Sequence, residues 1–145
     1  FDPAHFDMLY AVLNKHIGMI RFLTAINSVG NGLVVDYQTE SVVINPKKGL
    51  GGIGGSYVKP VALANIWQLH QLFGESVVIF GCGGISSGAV VFEHILCGAS
   101  MCQIGSQLMK EGTGCFERII QELKTLMDSK GYKHIDDFRG KLKIL

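Results

Sequence analysis

Short apolar runs that end in glycine or in Asn-Ser, each feeding a segment of helical periodicity, limit the possible folds of this chain more than any other feature. Residues 21–26 are apolar apart from Arg21 and Thr24, and they lead into Asn27-Ser28. Residues 77–80 lead into Gly81-Cys82-Gly83-Gly84, and residues 101–104 lead into Gly105-Ser106. Runs this short and this apolar are expected as strands buried on both faces. The segments after the two glycine turns carry Val90, Val91, Ile95 and Leu96, and then Phe116, Ile119, Ile120, Leu123, Leu126 and Met127. The latter set falls on one helical face. Alternation of buried strands with one-sided helices implies an α/β fold with a parallel sheet and right-handed crossovers.

Other segments fit the same scheme. Asp2-Pro3 predicts a cap and first turn for a helix over residues 3–16, with Phe6, Leu9 and Leu13 on its apolar face. Residues 33–36 and 41–45 read as two strands of a hairpin inserted after the first buried strand, turning through residues 37–40. Residues 47–56 read as a glycine-rich loop. Lys59-Pro60 opens a helix that carries Leu63, Ile66, Trp67, Leu69 and Phe73 and stops at Gly74. Ser86 or Ser87 is expected to cap the next helix, and Thr113 the long one after it. Residues 135–145 read as a last helical turn and a basic end. Two parallel architectures compete. An open doubly wound sheet usually carries one glycine fingerprint, after its first strand. A closed barrel builds its site from every strand end, and here polar or glycine residues follow every strand. The expected fold is therefore the C-terminal half of a (β/α)8 TIM barrel with an inserted β-hairpin. Residues 1–145 form part of one domain, and its N-terminal half lies outside this chain. Phe1 in place of Met agrees with a start inside a longer protein.

Composition removes several function classes. Hydrophobic residues make up 48% and charged residues 17%, which argues against disorder. The net charge is +1 and no basic tract recurs, so no nucleic-acid partner is expected. No apolar run approaches the roughly 20 residues of a membrane span, so no membrane association is expected either. Cys82, Cys97, Cys102 and Cys115 form no C-x-x-C pair, and no metal set can be defended. They read as free thiols of a reducing cytosol. The five histidines are scattered, and no catalytic order such as Ser-His-Asp emerges.

Two glycine turns in consecutive strand–loop–helix units point to phosphate. Glycine lets main-chain N–H groups approach phosphate oxygens, and a helix N-terminus adds a favourable dipole. Barrels often hold phosphate with the loops after their last two strands. Gly83, Gly84, Gly105 and Ser106 are the candidates. No G-x-G-x-x-G or Walker A pattern is present. Asn27 could meet the imide edge of a planar heterocycle, having both a donor and an acceptor. A turn role fits it equally well on spacing alone. The run Gly51-Gly52-Ile53-Gly54-Gly55-Ser56, taken alone, reads as a flexible linker.

Several stretches resemble the class 1A dihydroorotate dehydrogenases. They are Ala25-Ile26-Asn27-Ser28-Val29-Gly30-Asn31-Gly32, Glu40-Ser41-Val42-Val43-Ile44, Gly51-Gly52-Ile53-Gly54-Gly55, and Lys59-Pro60-Val61-Ala62-Leu63-Ala64-Asn65. Cys82-Gly83-Gly84-Ile85, Phe92-Glu93-His94-Ile95-Leu96-Cys97-Gly98-Ala99 and Phe138-Arg139-Gly140-Lys141-Leu142 extend the likeness over essentially the whole chain. The resemblance implies a soluble cytoplasmic homodimer that carries FMN, oxidises dihydroorotate to orotate and passes electrons to fumarate. It implies that Asn27 and Ser28 contact substrate, Ile26 and Gly55 line the flavin, and Gly83, Gly84, Gly105 and Ser106 cradle its phosphate. The family's base cysteine, flavin-contacting lysine and several substrate asparagines would lie upstream of Phe1. No catalytic residue is therefore expected in this segment, which alone should be inactive. Other FMN barrels acting on pyrimidines, the NAD-linked dihydroorotate dehydrogenases and dihydropyrimidine dehydrogenase, are the alternative enzymes. A non-catalytic half-barrel is the alternative of another class.

Overall fold

The computed structural model of the chain describes residues 3–144; Asp2, the expected cap, and Leu145, the end of the expected tail, lie outside them. Helix α1 (Pro3–Leu13) runs into a 3-10 segment (Asn14–Met19). Strand β1 (Phe22–Ala25) follows, then β2 (Val29–Gly32), β3 (Val35–Asp36), β4 (Ser41–Val42) and β5 (Gly51–Ile53). Helix α2 (Lys59–Phe73), β6 (Val78–Cys82), α3 (Gly88–Leu96), β7 (Met101–Gln103), α4 (Ser106–Glu111) and α5 (Gly114–Lys130) complete the order.

Strands β1, β6 and β7 form one parallel sheet in the order β1-β6-β7. Leu23 pairs with Ile79, Ala25 with Gly81, and Cys82 with Gln103. The pairing aligns the C-terminal ends of all three strands, so the turns that leave them open at one edge. Apolar faces of the helices seal the sheet. Ile66 of α2 and Ile79 of β6 are fully buried, packed with Phe6, Leu69, Phe73 and Val77. Burying each such side chain is worth roughly 1.5–3 kcal/mol against leaving it in water. A second core joins α3 to α5 through Ile85, Val91, Ile95, Cys115 and Ile119. Phe138 closes it, its ring stacked 4.3 Å from that of Phe92.

The segment between β1 and α2 forms two antiparallel pairs, one nested in the other. Val35–Asp36 pairs with Ser41–Val42, shorter than the expected strands at 33–36 and 41–45. Outside it, β2 pairs with β5 through Val29 opposite Ile53 and Gly32 opposite Gly51. Part of the expected glycine-rich loop is thus strand. The reason is close approach. A Cβ on Gly32 would sit 2.4 Å from Ile53 Cγ1, and one on Gly52 would sit 2.3 Å from Ser28 Oγ. These glycines are sites of contact between strands, which composition alone does not distinguish from linker. The helix expected over 3–16 leaves α geometry after Leu13. Thr113 does not cap α5: its backbone is already helical and its side chain makes no capping bond. Ser87 does cap α3, its hydroxyl accepting the Val90 N–H at 3.4 Å. Helix α4 fills the interval between β7 and α5, where the periodicity was too short to read.

Candidate functional site

Four turns meet at the C-terminal edge of the parallel sheet and enclose a cleft of about 340 Å³. The turn after β1 brings Ile26, Asn27 and Ser28. The main-chain N–H of Ile26 donates to Cys82 O at 2.8 Å, which extends the β1–β6 ladder one residue into the cleft wall. The Ala25–Ile26 peptide there is cis. Asn27 Oδ1 accepts the Ser28 N–H at 2.8 Å. Ser28 also packs against Gly52 of β5, leaving no room for a side chain there.

The turn before α2 contributes Gly54, Gly55 and Ser56, and the turn after β6 contributes Gly83, Gly84 and Ser86. Gly55, Gly83 and Gly84 have φ of +66°, +133° and +77°, values that disfavour side chains. A Cβ on Gly83 would press within 2.7 Å of Ala62 Cβ, and one on Gly84 within 2.7 Å of Lys59 Cβ and 3.2 Å of Gly55 O. Helix α2 already fills the space where those side chains would go. The main chain of the turn therefore lies flat along the wall.

The turn after β7 supplies Gly105 and Ser106, the latter opening α4. A Cβ built on Gly55 would lie 3.6 Å from Ser106 Oγ, so these turns are in contact range. A Cβ on Gly105 would meet no atom within 4 Å. All eight residues singled out from the sequence line this one cleft. Others were missed. Gln103 is a polar residue inside an apolar strand run, a signal visible in the sequence. Gln107 and Lys110 lie on α4, and Lys110 stands four residues after Ser106, on the same helical face. Recognising that helix would have brought both in.

The electrostatics suit an anion. Among the described residues no Asp or Glu lines the cleft, and Lys110 is its one charged lining residue. Main-chain donors at the glycine turns, the Ser106 hydroxyl and open space over Gly105 make a donor set that a phosphate fits. Cys82 lines the cleft too, but burial pushes its thiol up from 9.0, so it stays protonated and is no base at neutral pH. All four cysteines are free, with Cys97 and Cys115 buried. Beneath the β6 turn, His94 is fully buried. Its Nδ1 faces Val90 O at 2.8 Å; the Gly83 main chain also lies near the ring, but among the described residues Nε2 makes no hydrogen bond of good geometry. Burial holds its ring below the usual 6.5.

Among the described residues no helix is long and apolar enough to cross a membrane, and no group of three His, Cys, Asp or Glu could hold a metal. The fold and site together define a parallel α/β domain with a cleft at its strand ends that is free of lining carboxylates among the described residues. The family whose sequence model matches residues 1–127 is described as dihydroorotate dehydrogenase, and the chain belongs to that family. It is 54% identical over all 145 residues to the dihydroorotate dehydrogenase (fumarate) of Saccharomyces bayanus, and covers 46% of that protein. It is 51% identical to dihydroorotate dehydrogenase A (fumarate) of Lactococcus lactis, again over the whole chain and 46% of the relative. The chain thus spans about half the length of the curated relatives it matches. Among solved structures, the ligand-free enzyme of Eimeria tenella superposes with a TM-score of 0.77 at 18% identity, over 97% of this chain and 37% of that one. The same enzyme in complex with ferulenol gives 0.72 at 19% identity, over 91% and 33%. At that identity the likeness speaks for the fold.

Proposed function

We propose that this chain is the C-terminal half of a (β/α)8 barrel, with the nested β2–β5 pairs as its insertion. The whole protein oxidises dihydroorotate to orotate and delivers the electrons to fumarate, working as a homodimer in the cytoplasm. The observation that carries this reading is the convergence of Ile26, Asn27, Ser28, Gly55, Gly83, Gly84, Gly105 and Ser106 on one cleft with no lining carboxylate.

FMN, when bound, supplies the hydride acceptor. The residues of this chain bind and orient. The main chain at Gly83, Gly84 and Gly105, with the Ser106 hydroxyl, would hold the phosphate. Ile26 and Gly55 would flank the flavin ring. The Asn27 amide keeps its Nδ2 donors for a ligand, while its Oδ1 is tied to Ser28 N–H. Asn27 and Ser28 would thus fix the pyrimidine edge, each through a hydroxyl or amide donor. The proton-abstracting base falls to the portion of the protein outside this chain, consistent with the protonated Cys82. The test is a flavin absorbance spectrum of the full-length protein, together with dihydroorotate-dependent reduction of fumarate. A protein purified without flavin and not reconstituted by FMN would end the proposal. Flavin with electron transfer to NAD but none to fumarate would move it to the NAD-linked enzymes.

A further inference from the structure

Outside the cleft lining, one guanidinium joins the elements that carry the two glycine turns. Arg118 of α5 donates from Nε and Nη2 to the two carboxylate oxygens of Glu111, at 2.7 and 2.6 Å. Its Nη1 donates to Glu122 Oε1 at 2.6 Å, and Nη2 also reaches Ser86 O at 3.2 Å. Both carboxylates reach further. Glu111 Oε2 accepts from Gln107 Nε2 at 2.8 Å, and Glu122 Oε2 accepts the Gly88 N–H at 2.8 Å, at the first turn of α3. Ser86 and Gln107 both line the cleft. One side chain is therefore bonded to the wall after β6 directly, and to the wall after β7 through Glu111.

We propose that Arg118 is a positioning residue that sets the spacing of the two phosphate-holding turns, and so governs selectivity for a phosphorylated flavin over its dephosphorylated form. This rests on the cofactor reading above. A guanidinium presents its donors in a fixed planar fork, so three acceptors held at once also fix the three elements that bear them. The Glu111 carboxyl is held down at about 2, chiefly by its bonds from Arg118. A Cβ on Gly88 would lie 2.2 Å from Leu123 N, so α3 and α5 meet there with no spare room. Among the described residues, the turns at Ile26 and Gly55, which would flank the ring, make no hydrogen bond to Arg118, Glu111 or Glu122. Loosening the Arg118 bonds should therefore disturb the phosphate end of the cleft more than the end that would flank the ring.

The experiment titrates the flavin-free full-length protein with FMN and with riboflavin, for wild type, Arg118→Lys and Arg118→Met, with Tm of the flavin-free forms alongside. Lysine keeps the charge but loses the fork, so both variants should weaken FMN by about tenfold, the scale of one charge-assisted bond. Riboflavin affinity should change by less than about twofold, because it has no phosphate to misplace. Glu111→Gln, which leaves the Arg118–Glu122 pair in place, serves if the arginine variants fail to fold, and should lower the FMN-to-riboflavin ratio in the same direction. An unchanged ratio in the folded variants, or equal losses for both ligands, would overturn the positioning role. Wild type that binds neither flavin, or both equally, would instead refute the cofactor assignment itself.

Discussion

A Cβ on Gly105 would enter open space at the cleft wall, whereas one on Gly84 would strike α2. The two glycines therefore report different things. Gly84→Ala places a side chain at φ +77° against Lys59, and should cost folding stability of roughly 1–3 kcal/mol as well as ligand. Gly105→Val is the cleaner probe. Its φ of −112° lies outside the left-handed region, so Tm should fall less than in Gly84→Ala while FMN affinity falls by about tenfold or more as the isopropyl group occupies the cleft. Equilibrium dialysis against FMN, with a thermal melt of the same sample, reads both. Asn27→Ala should behave oppositely. It removes an amide from the substrate edge and leaves the phosphate turns intact. Each ligand group then left unpaired in a desolvated site costs about 1–3 kcal/mol. Steady-state kinetics of the full-length protein should show kcat/KM for dihydroorotate down roughly ten- to a hundredfold, at an unchanged flavin-to-protein absorbance ratio. A variant that loses flavin but turns over normally once loaded would make Asn27 a cofactor residue. The sequence made the phosphate candidates visible because two glycine turns recur in consecutive strand–loop–helix units, whereas Ile26, Ser28 and Gly55 entered only through the family resemblance, since Asn, Ser and Gly are also ordinary turn residues. It did not reveal which face each glycine serves, since that depends on which neighbour occupies the Cβ position.

At the scale of elements, what could be read was whatever depends on local periodicity: α2, α3, α5 and the three buried strands. Caps were only half legible. Ser87 and Thr113 look alike in sequence, yet only Ser87 has extended backbone (φ −153°) and a side-chain bond to Val90 N–H. Ser87→Ala should therefore cost about 1 kcal/mol and Thr113→Ala a few tenths, measured as shifts in urea midpoint. Equal losses would mean that the α3 cap is not what Ser87 provides. His94, on the same helix, shows a tertiary effect that no pattern announces. Its ring fills the space above Gly81, where a Cβ would lie 2.9 Å from Cδ2, and among the described residues its Nε2 makes no hydrogen bond of good geometry. Burial lowers its pKa, so the folded form prefers the neutral ring. The sign follows. Stability from this group is complete above the unfolded value of 6.5 and is lost as pH falls below it, because the unfolded chain takes up the proton first. His94→Gln should lower stability at every pH through lost packing. It should also flatten the decline of the urea midpoint between about pH 7.5 and 5.5. Parallel wild-type and variant curves would show that His94 does not carry that slope.

The whole molecule has a sheet closed on neither side. In the order β1-β6-β7, the outer edges of β1 and β7 carry no strand partner among the described residues. Phe22, Val78 and Met101, one from each strand, are 52%, 42% and 55% exposed, and Leu33, Val34, Val35 and Val43 add exposed apolar surface on the nested pairs. A barrel that continues beyond this chain accounts for both features, since closure pairs the edges and neighbouring units cover the apolar positions. Alternation of strand and helix patterns pointed to the parallel sheet, whereas the expectation of a closed barrel came from the polar and glycine strand ends, because three strands alone show no closure. The consequence can be measured on residues 1–145 alone. Unpaired parallel edges and uncovered aliphatic side chains favour association, so sedimentation velocity at micromolar concentration should show dimers or larger species. Mixing with the separately expressed remainder of the full-length protein should then shift this chain into a defined complex that binds FMN. The open edges would be paired there, and the cleft would gain its second wall. A monodisperse monomer of residues 1–145 that melts in one cooperative step would show that three strands suffice, and would remove the half-barrel from the proposal.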